Sequence, residues 1–202
     1  MNASLPTRSP SDGLATQASR VLGAFVATFL LLGACWAVEV ANYADNGALS
    51  DRYGIQAHDG STVWHVFTAP FLHANIDHIT ANSMPLAVFG FLAALRGMAR
   101  FITVSLIIMV ASGLGVWFLS SPDTVTVGAS GLIFGYFGYL IARGFVEHRP
   151  FDIVVGLVIA LFYGTIIFGA LPGQPGISWQ AHLFGLIGGI LAAWFTRQRS
   201  AA

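Results

Sequence analysis

The sequence predicts an all-α membrane protein in which six transmembrane helices form one bundle. Of its 202 residues, 55% are hydrophobic and only 9% are charged, against about 25% charged in an ordinary soluble domain. The apolar residues also fall into blocks, and a helix needs about 20 of them to cross a bilayer. Because such a chain cannot cover itself with water-soluble surface, membrane helices explain the composition better than an oversized core.

Six apolar blocks follow one another along the chain. They run from Val21 to Ala41, Val66 to Leu95, Phe101 to Leu119, Val125 to Ala142, Ile153 to Leu171 and Gln180 to Phe195. The fourth and sixth blocks are short, and about 16 helical residues reach only about 24 Å of a roughly 30 Å hydrocarbon core. We therefore expect a recess above these two helices that is open to the outside.

The arginines indicate how the helices are oriented. They lie before the first block, between the second and third, between the fourth and fifth, and after the sixth, and only Arg52 falls on the other side. Since positive residues stay on the cytoplasmic side, both termini are predicted to be cytoplasmic in a multi-pass protein of the bacterial plasma membrane. Residues 1–19, rich in Ser, Thr, Pro and Ala, indicate a flexible tail, and residues 20–199 form the six-helix domain.

Charge and cysteine content exclude other classes of protein. The net charge is zero and the chain has no lysine, so an extended basic surface for nucleic acid is lacking. The lone Cys35 lies inside the first block and cannot form an intrachain disulfide. The predicted partner at this point is the lipid bilayer and not nucleic acid, and no oligomeric state is indicated.

Polar side chains cluster where the second, fourth and sixth blocks begin on the outer side. They are His73, His78 and Asn82 in the string HANIDHITAN, Ser130 in GASG, and His182 in QAH. Polar and ionisable groups are costly inside a membrane, so each is a functional hypothesis. Because all three helices run inward from the same face, these side chains are expected at a similar depth.

Ser130 and His182 match the minimal requirement for nucleophilic acyl transfer. A serine hydroxyl is a poor nucleophile until an adjacent base takes its proton. No carboxylate lies on the fourth or sixth block, so we predict a dyad with Ser130 Oγ about 2.6 to 3.5 Å from a His182 ring nitrogen. Phe134, one turn after Ser130, is expected to pack on the imidazole ring. The alternatives are a small packing residue for Ser130 and an interfacial histidine for His182.

Asn82 and His78 are candidate donors to the oxyanion of a tetrahedral intermediate. Four residues separate them, so both side chains lie on one helical face. The N-terminal end of the fourth helix adds backbone N–H groups near Ser130. The alternative for Asn82 is an interhelical hydrogen bond, and for His73 and His78 a surface pair near the lipid headgroups. We favour the surface interpretation for His73 only.

Glycines predict close contact between the fourth and sixth helices. Gly185 and Gly189 follow His182 in a small-xxx-small pattern, which lets helices approach closely. Gly131, Gly135 and Gly138 are the candidate counterparts on the fourth helix. Such an approach would bring Ser130 within hydrogen-bond reach of His182.

Together these strings resemble the rhomboid family of intramembrane serine proteases. HANIDHITAN fits the family pattern of His, four residues, His, three residues and Asn; GASG fits GxSG, and AHLFGLIGG fits AHxxGxxxG. The resemblance spans about residues 63–197, with the motifs in the same order. Trp64 is followed by His65 where many members have Trp-Arg, and Phe134 stands where others have tyrosine.

The resemblance implies an endopeptidase that cleaves single-span membrane proteins near the outer face of the bilayer, without cofactor or metal. It implies that Ser130 is the nucleophile and His182 the general base, with His78 and Asn82 lining the oxyanion hole beside the Ser130 amide. It also implies that the fifth helix and the LPGQPGISW connection act as gate and cap. The supporting positions are Gly128, Phe134, His73, Gly185 and Gly189.

Three other classes of function compete with a protease. His73, His78 and His182 are possible ligands of a metal or haem, although there is no HExxH, and structural zinc would need a fourth ligand. A transporter would place its polar site near mid-membrane, often at interrupted helices. A non-catalytic rhomboid-like protein that binds membrane helices is the third, and the presence of both Ser130 and His182 argues against it.

Overall fold

The computed structural model describes the backbone of residues 10–197 and the side chains of residues 13–197. Its α-helices are α1 (Pro10–Ala44), α2 (Ala48–Tyr53), α3 (Ile76–Ala94), α4 (Met98–Leu119), α5 (Ser130–Glu147), α6 (Pro150–Tyr163) and α7 (Trp179–Phe195). The 3₁₀ helices are Gly60–Phe67, Ala69–Phe71 and Gly164–Ala170, and the strands are β1 (Ile55–Gln56) and β2 (Val125–Thr126). The all-α prediction is confirmed.

Three helical stretches in the described part of the chain are long and apolar enough to cross a membrane. They are Gly13–Ala44, Met98–Leu119 and Pro150–Ala170. The apolar helix α7 is shorter, and α3 and α5 include charged residues such as Asp77 and Arg143. The count of six spans and the cytoplasmic position of both termini therefore stay predictions.

The first helix begins earlier than the sequence predicts. The structure has α1 from Pro10, so residues 10–19 are helical, whereas residues 1–9 lie outside the described part of the chain. The flexibility of the tail stays a prediction. Proline is tolerated in the first helical turn, and extending a helix from an apolar span already formed costs little because no new nucleus is needed.

The second and fourth blocks begin several residues before their α-helices do. Pro70 lies in a short 3₁₀ helix, and α3 begins only after Asn75, whose side chain accepts a hydrogen bond from the His78 amide at 2.8 Å. In the fourth block, β2 and the left-handed Gly128 (φ 126°) delay α5 to Ser130. The two α-helices therefore begin inside their apolar blocks, α3 after Asn75 and α5 at Ser130, because an N-cap and a positive φ set these boundaries.

Helix α5 is the buried centre of the bundle and packs most extensively against α7. Its Tyr136 and Tyr139 side chains are fully buried. A Cβ atom placed on Gly138 would lie 2.7 Å from the Leu186 carbonyl oxygen, and one on Gly185 would overlap the Gly131 carbonyl oxygen. The two helices therefore approach to backbone contact, as their glycine pattern predicts.

The connection between α1 and α3 is attached to the strand that leads into α5. Strand β1 pairs antiparallel with β2, with Ile55 opposite Thr126. The buried His65 ring lies with Nδ1 2.7 Å from the Gly54 carbonyl oxygen, immediately before β1, and its ring packs edge-on against Trp64. Because a carbonyl only accepts, Nδ1 donates, and His65 anchors this loop.

Charged side chains cross-link the opposite end of the bundle. Asp152, fully buried at the start of α6, is hydrogen-bonded to Arg96 and, at 2.7 Å, to Arg143 near the end of α5. Glu147 pairs with Arg100 of α4 at 2.7 Å. The junctions α3–α4 and α5–α6 are thereby held together.

We predict that Asp152→Ala lowers the free energy of unfolding by about 3 to 5 kcal/mol, because it leaves Arg143 as a buried cation that has lost its carboxylate. The measurement is denaturant unfolding in detergent micelles, followed by circular dichroism. Asp123→Ala, in the exposed turn before β2, is the control and should change stability by about 0.5 kcal/mol or less. Equal effects of the two variants would contradict a stabilising role for the cluster.

Candidate active site

The GASG turn is held by two groups from the loop that precedes α3. The Gly128 amide donates to the Ala69 carbonyl oxygen at 3.0 Å. The Ala129 amide donates to His73 Nε2 at 3.4 Å. Ser130 follows as the first residue of α5 and is half-buried. Since the first amides of a helix have no intrahelical acceptor, the Ser130 N–H is available at the site.

His182 lies in the first turn of α7, and contacts on two sides fix its ring. Ser178 caps the helix by accepting from the Ala181 amide. The His182 ring is stacked on Phe134 with centroids 4.0 Å apart and an interplanar angle of 10°. Its Nδ1 lies 2.8 Å from the Gly169 carbonyl oxygen. Because that oxygen can only accept, Nδ1 carries the proton and Nε2 of the neutral ring is a free base.

His78 and Asn82 lie over Gly128, one turn apart on α3. A Cβ atom placed on Gly128 would lie 2.9 Å from His78 Nε2 and 3.8 Å from Asn82 Nδ2. Only glycine suits this position, because its φ is also positive. The Asn82 Nδ2 group is buried and has no hydrogen-bond partner within the described residues. A buried donor of this kind is rare in native proteins and calls for an explanation.

The Ser130 hydroxyl makes no hydrogen bond to any residue in the described range 10–197, so the expected bond to His182 is not formed. Catalytic hydrogen bonds are often long or misaligned in unliganded sites and tighten when substrate binds. The helices that carry the two residues are nevertheless in backbone contact beside the site, where Gly185 meets Gly131, the residue after Ser130.

His73 is not on the surface, so the expectation of a headgroup contact for it is wrong. The side chain is fully buried, its ring packs edge-on against His78 with centroids 5.1 Å apart, and Nε2 accepts from the Ala129 amide. The reason is that residues 69–75 fold inward beneath the GASG turn instead of continuing α3 outward. His73 therefore supports the turn that presents Ser130.

The three histidines are not arranged as a ligand set. Within the side chains that the structure describes, no group of three His, Cys, Asp or Glu residues could hold a metal ion. His73 and His78 face each other edge-on, whereas the His182 ring is stacked on Phe134 and bonded to Gly169.

Sequence reasoning missed two backbone carbonyl groups and one serine side chain that position the site. The carbonyl oxygens of Ala69 and Gly169 carry no sequence signal, because every residue has one. Ser112 of α4 donates to the Ala181 carbonyl oxygen at 2.9 Å and lies against Gly131, so it bridges α4, α5 and α7 beneath the site. A serine inside an apolar helix was its only sequence signal.

Comparison with known proteins identifies the family. The Rhomboid domain profile matches residues 60–199. A Mycobacterium tuberculosis protein described as uncharacterized is 41% identical over 180 residues, covering 85% of this chain and 74% of that protein. YdcA of Bacillus subtilis, named as a candidate rhomboid protease, is 33% identical over 138 residues, covering 67% of this chain and 68% of YdcA.

A plant relative is similar over a smaller part of its length. RHOMBOID-like protein 1 of Arabidopsis thaliana is 30% identical over 148 residues, which cover 72% of this chain and 36% of that protein. Residues 60–199, which match the Rhomboid domain, include the GASG turn, α3, α5 and α7. With its apolar helices, the chain is an integral membrane protein, and it belongs to the rhomboid family.

Proposed function

We propose that this protein is an intramembrane serine endopeptidase that cleaves membrane-spanning segments near the outer face of the bilayer. Ser130 is the nucleophile and His182 the general base. Asn82, His78 and the Ser130 amide bind the oxyanion. Six spanning helices with cytoplasmic termini, in a bacterial plasma membrane, would give the site its access from outside.

The single observation that carries this proposal is the unpartnered donor of Asn82. Its buried Nδ2 lies beside Gly128, immediately before Ser130, and has no acceptor in the described residues. Leaving such a donor unpaired costs about 1 to 3 kcal/mol. An oxyanion that forms beside Ser130 would supply the missing acceptor, so this cost is recovered only in the transition state.

Acylation requires one proton to move between three atoms. The Ser130 Oγ attacks the scissile carbonyl carbon while its proton passes to His182 Nε2, and the carbonyl oxygen becomes the oxyanion. The protonated His182 then gives that proton to the leaving nitrogen as the C–N bond breaks. The products of this half-reaction are an acyl ester on Ser130 and a free amine.

Deacylation repeats the sequence with water as the nucleophile. His182 Nε2 takes a proton from water, the hydroxide attacks the ester carbon, and the same donors bind the second oxyanion. Collapse returns the proton to Ser130 Oγ and releases a carboxylic acid, which loses its own proton to water. Water reaches Ser130 because α5 begins only after the β2 strand and GASG turn, at a half-buried position.

A non-catalytic rhomboid-like protein that binds membrane helices is the second candidate. The observation that favours it is the missing hydrogen bond between Ser130 and His182 among the described residues. Labelling with a fluorophosphonate separates the two functions, since only an activated serine reacts covalently.

We predict that Ser130→Ala and His182→Asn each abolish cleavage of a single-span reporter and labelling by a fluorophosphonate, since each removes one partner of the proton transfer. Cleavage is measured in proteoliposomes, and folding by thermal unfolding in detergent. Ser121→Ala and His148→Asn, at exposed positions, are matched controls that keep full activity. A dyad variant that retained more than a few per cent of wild-type activity would refute the assignment.

We predict that Asn82→Ala lowers kcat about 100-fold to 1,000-fold with little change in KM and no loss of stability, because the lost donor is unpaired in the unliganded protein and acts only on the transition state. Asn42→Ala is the contrasting control. Its amide bonds to Ser50 and to the His73 carbonyl oxygen, so this variant should lose stability. If Asn82→Ala instead destabilised the fold and kept its kcat, Asn82 would be a structural residue.

Lateral entry of substrate requires that α6 separate from α3. The outward side chains of α6 are exposed, with Leu161 at 80% and Phe162 at 74%. Tyr163 packs edge-on against Phe89 of α3, with ring centroids 5.0 Å apart. An aromatic pair of this kind contributes about 0.5 to 1.5 kcal/mol, which is small enough to be broken in each catalytic cycle.

We predict that Tyr163→Ala increases cleavage of a membrane-spanning reporter between about twofold and about tenfold, because 1.4 kcal/mol is a factor of about 10 in an opening equilibrium. Phe162→Ala, on the lipid side of the same helix, is the control and should leave the rate unchanged. Fluorophosphonate labelling does not require passage of a helix, and it should be equal in both variants as long as the closed position of α6 stays the major state. An unchanged or lower cleavage rate in Tyr163→Ala would exclude entry between α3 and α6.

A further inference from the structure

The site has a third group that neither the sequence nor the family motifs indicate. The 3₁₀ helix Gly164–Ala170 continues α6 and ends over the first turn of α7. There the Gly169 carbonyl oxygen lies 2.8 Å from His182 Nδ1. No carboxylate within the described residues is bonded to His182. We propose that the Gly169 carbonyl is the positioning group of His182, an inference that rests on the proposed function.

The hydrogen bond selects one tautomer of the imidazole. The carbonyl oxygen has lone pairs and no proton, so Nδ1 must donate to it. In the neutral ring the second nitrogen, Nε2, is then unprotonated, which is the form that accepts the Ser130 proton. After that transfer the ring is a cation, and the dipole of the carbonyl stabilises its Nδ1–H. The group therefore does the work that a carboxylate does in a triad.

The backbone of Gly169 lies so close to His182 that a side chain at this position has little room. A Cβ atom at this position would lie 3.1 Å from His182 Nδ1 and 3.0 Å from Phe134 Cζ. Phe134 is stacked on the face of the imidazole ring, with ring centroids 4.0 Å apart, and the Gly169 carbonyl binds its edge at Nδ1. A side chain at position 169 would push the ring away from both contacts.

The 3₁₀ geometry leaves this carbonyl free for His182. The segment ends at Ala170, so its last carbonyls have no later helical amide to bind. The Phe168 carbonyl accepts from the Leu171 amide and from the Gln174 side chain. The next carbonyl, that of Gly169, bonds to His182.

Because Gly169 lies on the segment that continues α6, the tautomer of His182 depends on the position of α6. The acceptor belongs to the segment that continues α6, whereas His182 belongs to α7. If α6 moves outward to admit a helix, the carbonyl leaves Nδ1 and the ring loses its fixed tautomer. His182 is then prepared for catalysis only when the segment has closed again over the bound substrate.

The test compares Gly169→Ala with the matched control Gly164→Ala. Both residues lie in the same 3₁₀ helix and neither has a positive φ, but a Cβ on Gly164 meets nothing within 4 Å. Fluorophosphonate labelling and reporter cleavage are measured in proteoliposomes. Gly169→Ala should lower both rates by about 3-fold to 10-fold, since the ring must yield by a fraction of an ångström and a misplacement of about 1 Å costs about 100-fold. Gly164→Ala should keep wild-type rates.

A spectroscopic readout separates positioning from a general loss of packing. Nitrogen-15 NMR of histidine-labelled protein reports the protonation of each ring nitrogen, and His182→Asn identifies the His182 signals. The wild type should show a single tautomer with the proton on Nδ1, and Gly169→Ala should show a mixture. Replacing Ala170 by lactic acid, which weakens the Gly169 carbonyl as an acceptor without adding atoms, should shift the same signals and lower the labelling rate.

Two results would overturn the inference: a wild-type ring protonated on Nε2, or Gly169→Ala and the lactic acid variant with unchanged tautomer and labelling. Failure of the proposed function looks different. A folded wild type that is never labelled, yet loses its Nδ1–H tautomer in Gly169→Ala, would exclude the protease and support the positioning contact.

Discussion

The glycine contacts between α5 and α7 are the constraint on which the site depends. Gly185 lies against the Gly131 carbonyl and Gly189 against the Gly135 carbonyl, with no room for a Cβ atom. Each glycine costs about 1 kcal/mol of helix propensity relative to alanine, and close van der Waals packing offsets this inside a membrane. Any side chain at these positions would separate the helices and carry His182 away from Ser130.

The loop before α3 supplies the second constraint, because it fixes the turn that presents Ser130. It contributes two acceptors, the Ala69 carbonyl and the His73 imidazole, to the two amides ahead of Ser130. Those bonds hold Gly128 in its left-handed conformation and leave the following amide unused. The strand pairing of β1 with β2 extends the same attachment. A loop that looks like a long connection in the sequence thus supports the turn that presents Ser130.

The sequence predicts the helical class well, because apolar blocks and the short motifs report on side chains. The stacking of Phe134 on His182 follows from helical spacing in the same way. The features that the sequence does not predict are set by backbone conformation. The starts of α3 and α5 are set by the Asn75 cap and the positive φ of Gly128, and burial of His73 requires the fold of the preceding loop. The Gly169 carbonyl could not be predicted from the sequence, because every residue has a carbonyl and only the path of the backbone brings this one to His182.

A neutral acceptor beside His182 fits the distribution of charge in the molecule. A carboxylate in a low-dielectric site is costly unless it is paired, and the carboxylates that pair with arginine, Glu147 and Asp152, lie at the opposite end. The two ends of α6 are therefore held by contacts of different strength. Its first turn is fixed by Asp152 between two arginines, whereas its far end is held by the Tyr163 ring contact and the Gly169 hydrogen bond. The end of α6 that lacks an ion pair to arginine is thus the one that continues into the segment carrying the acceptor of His182.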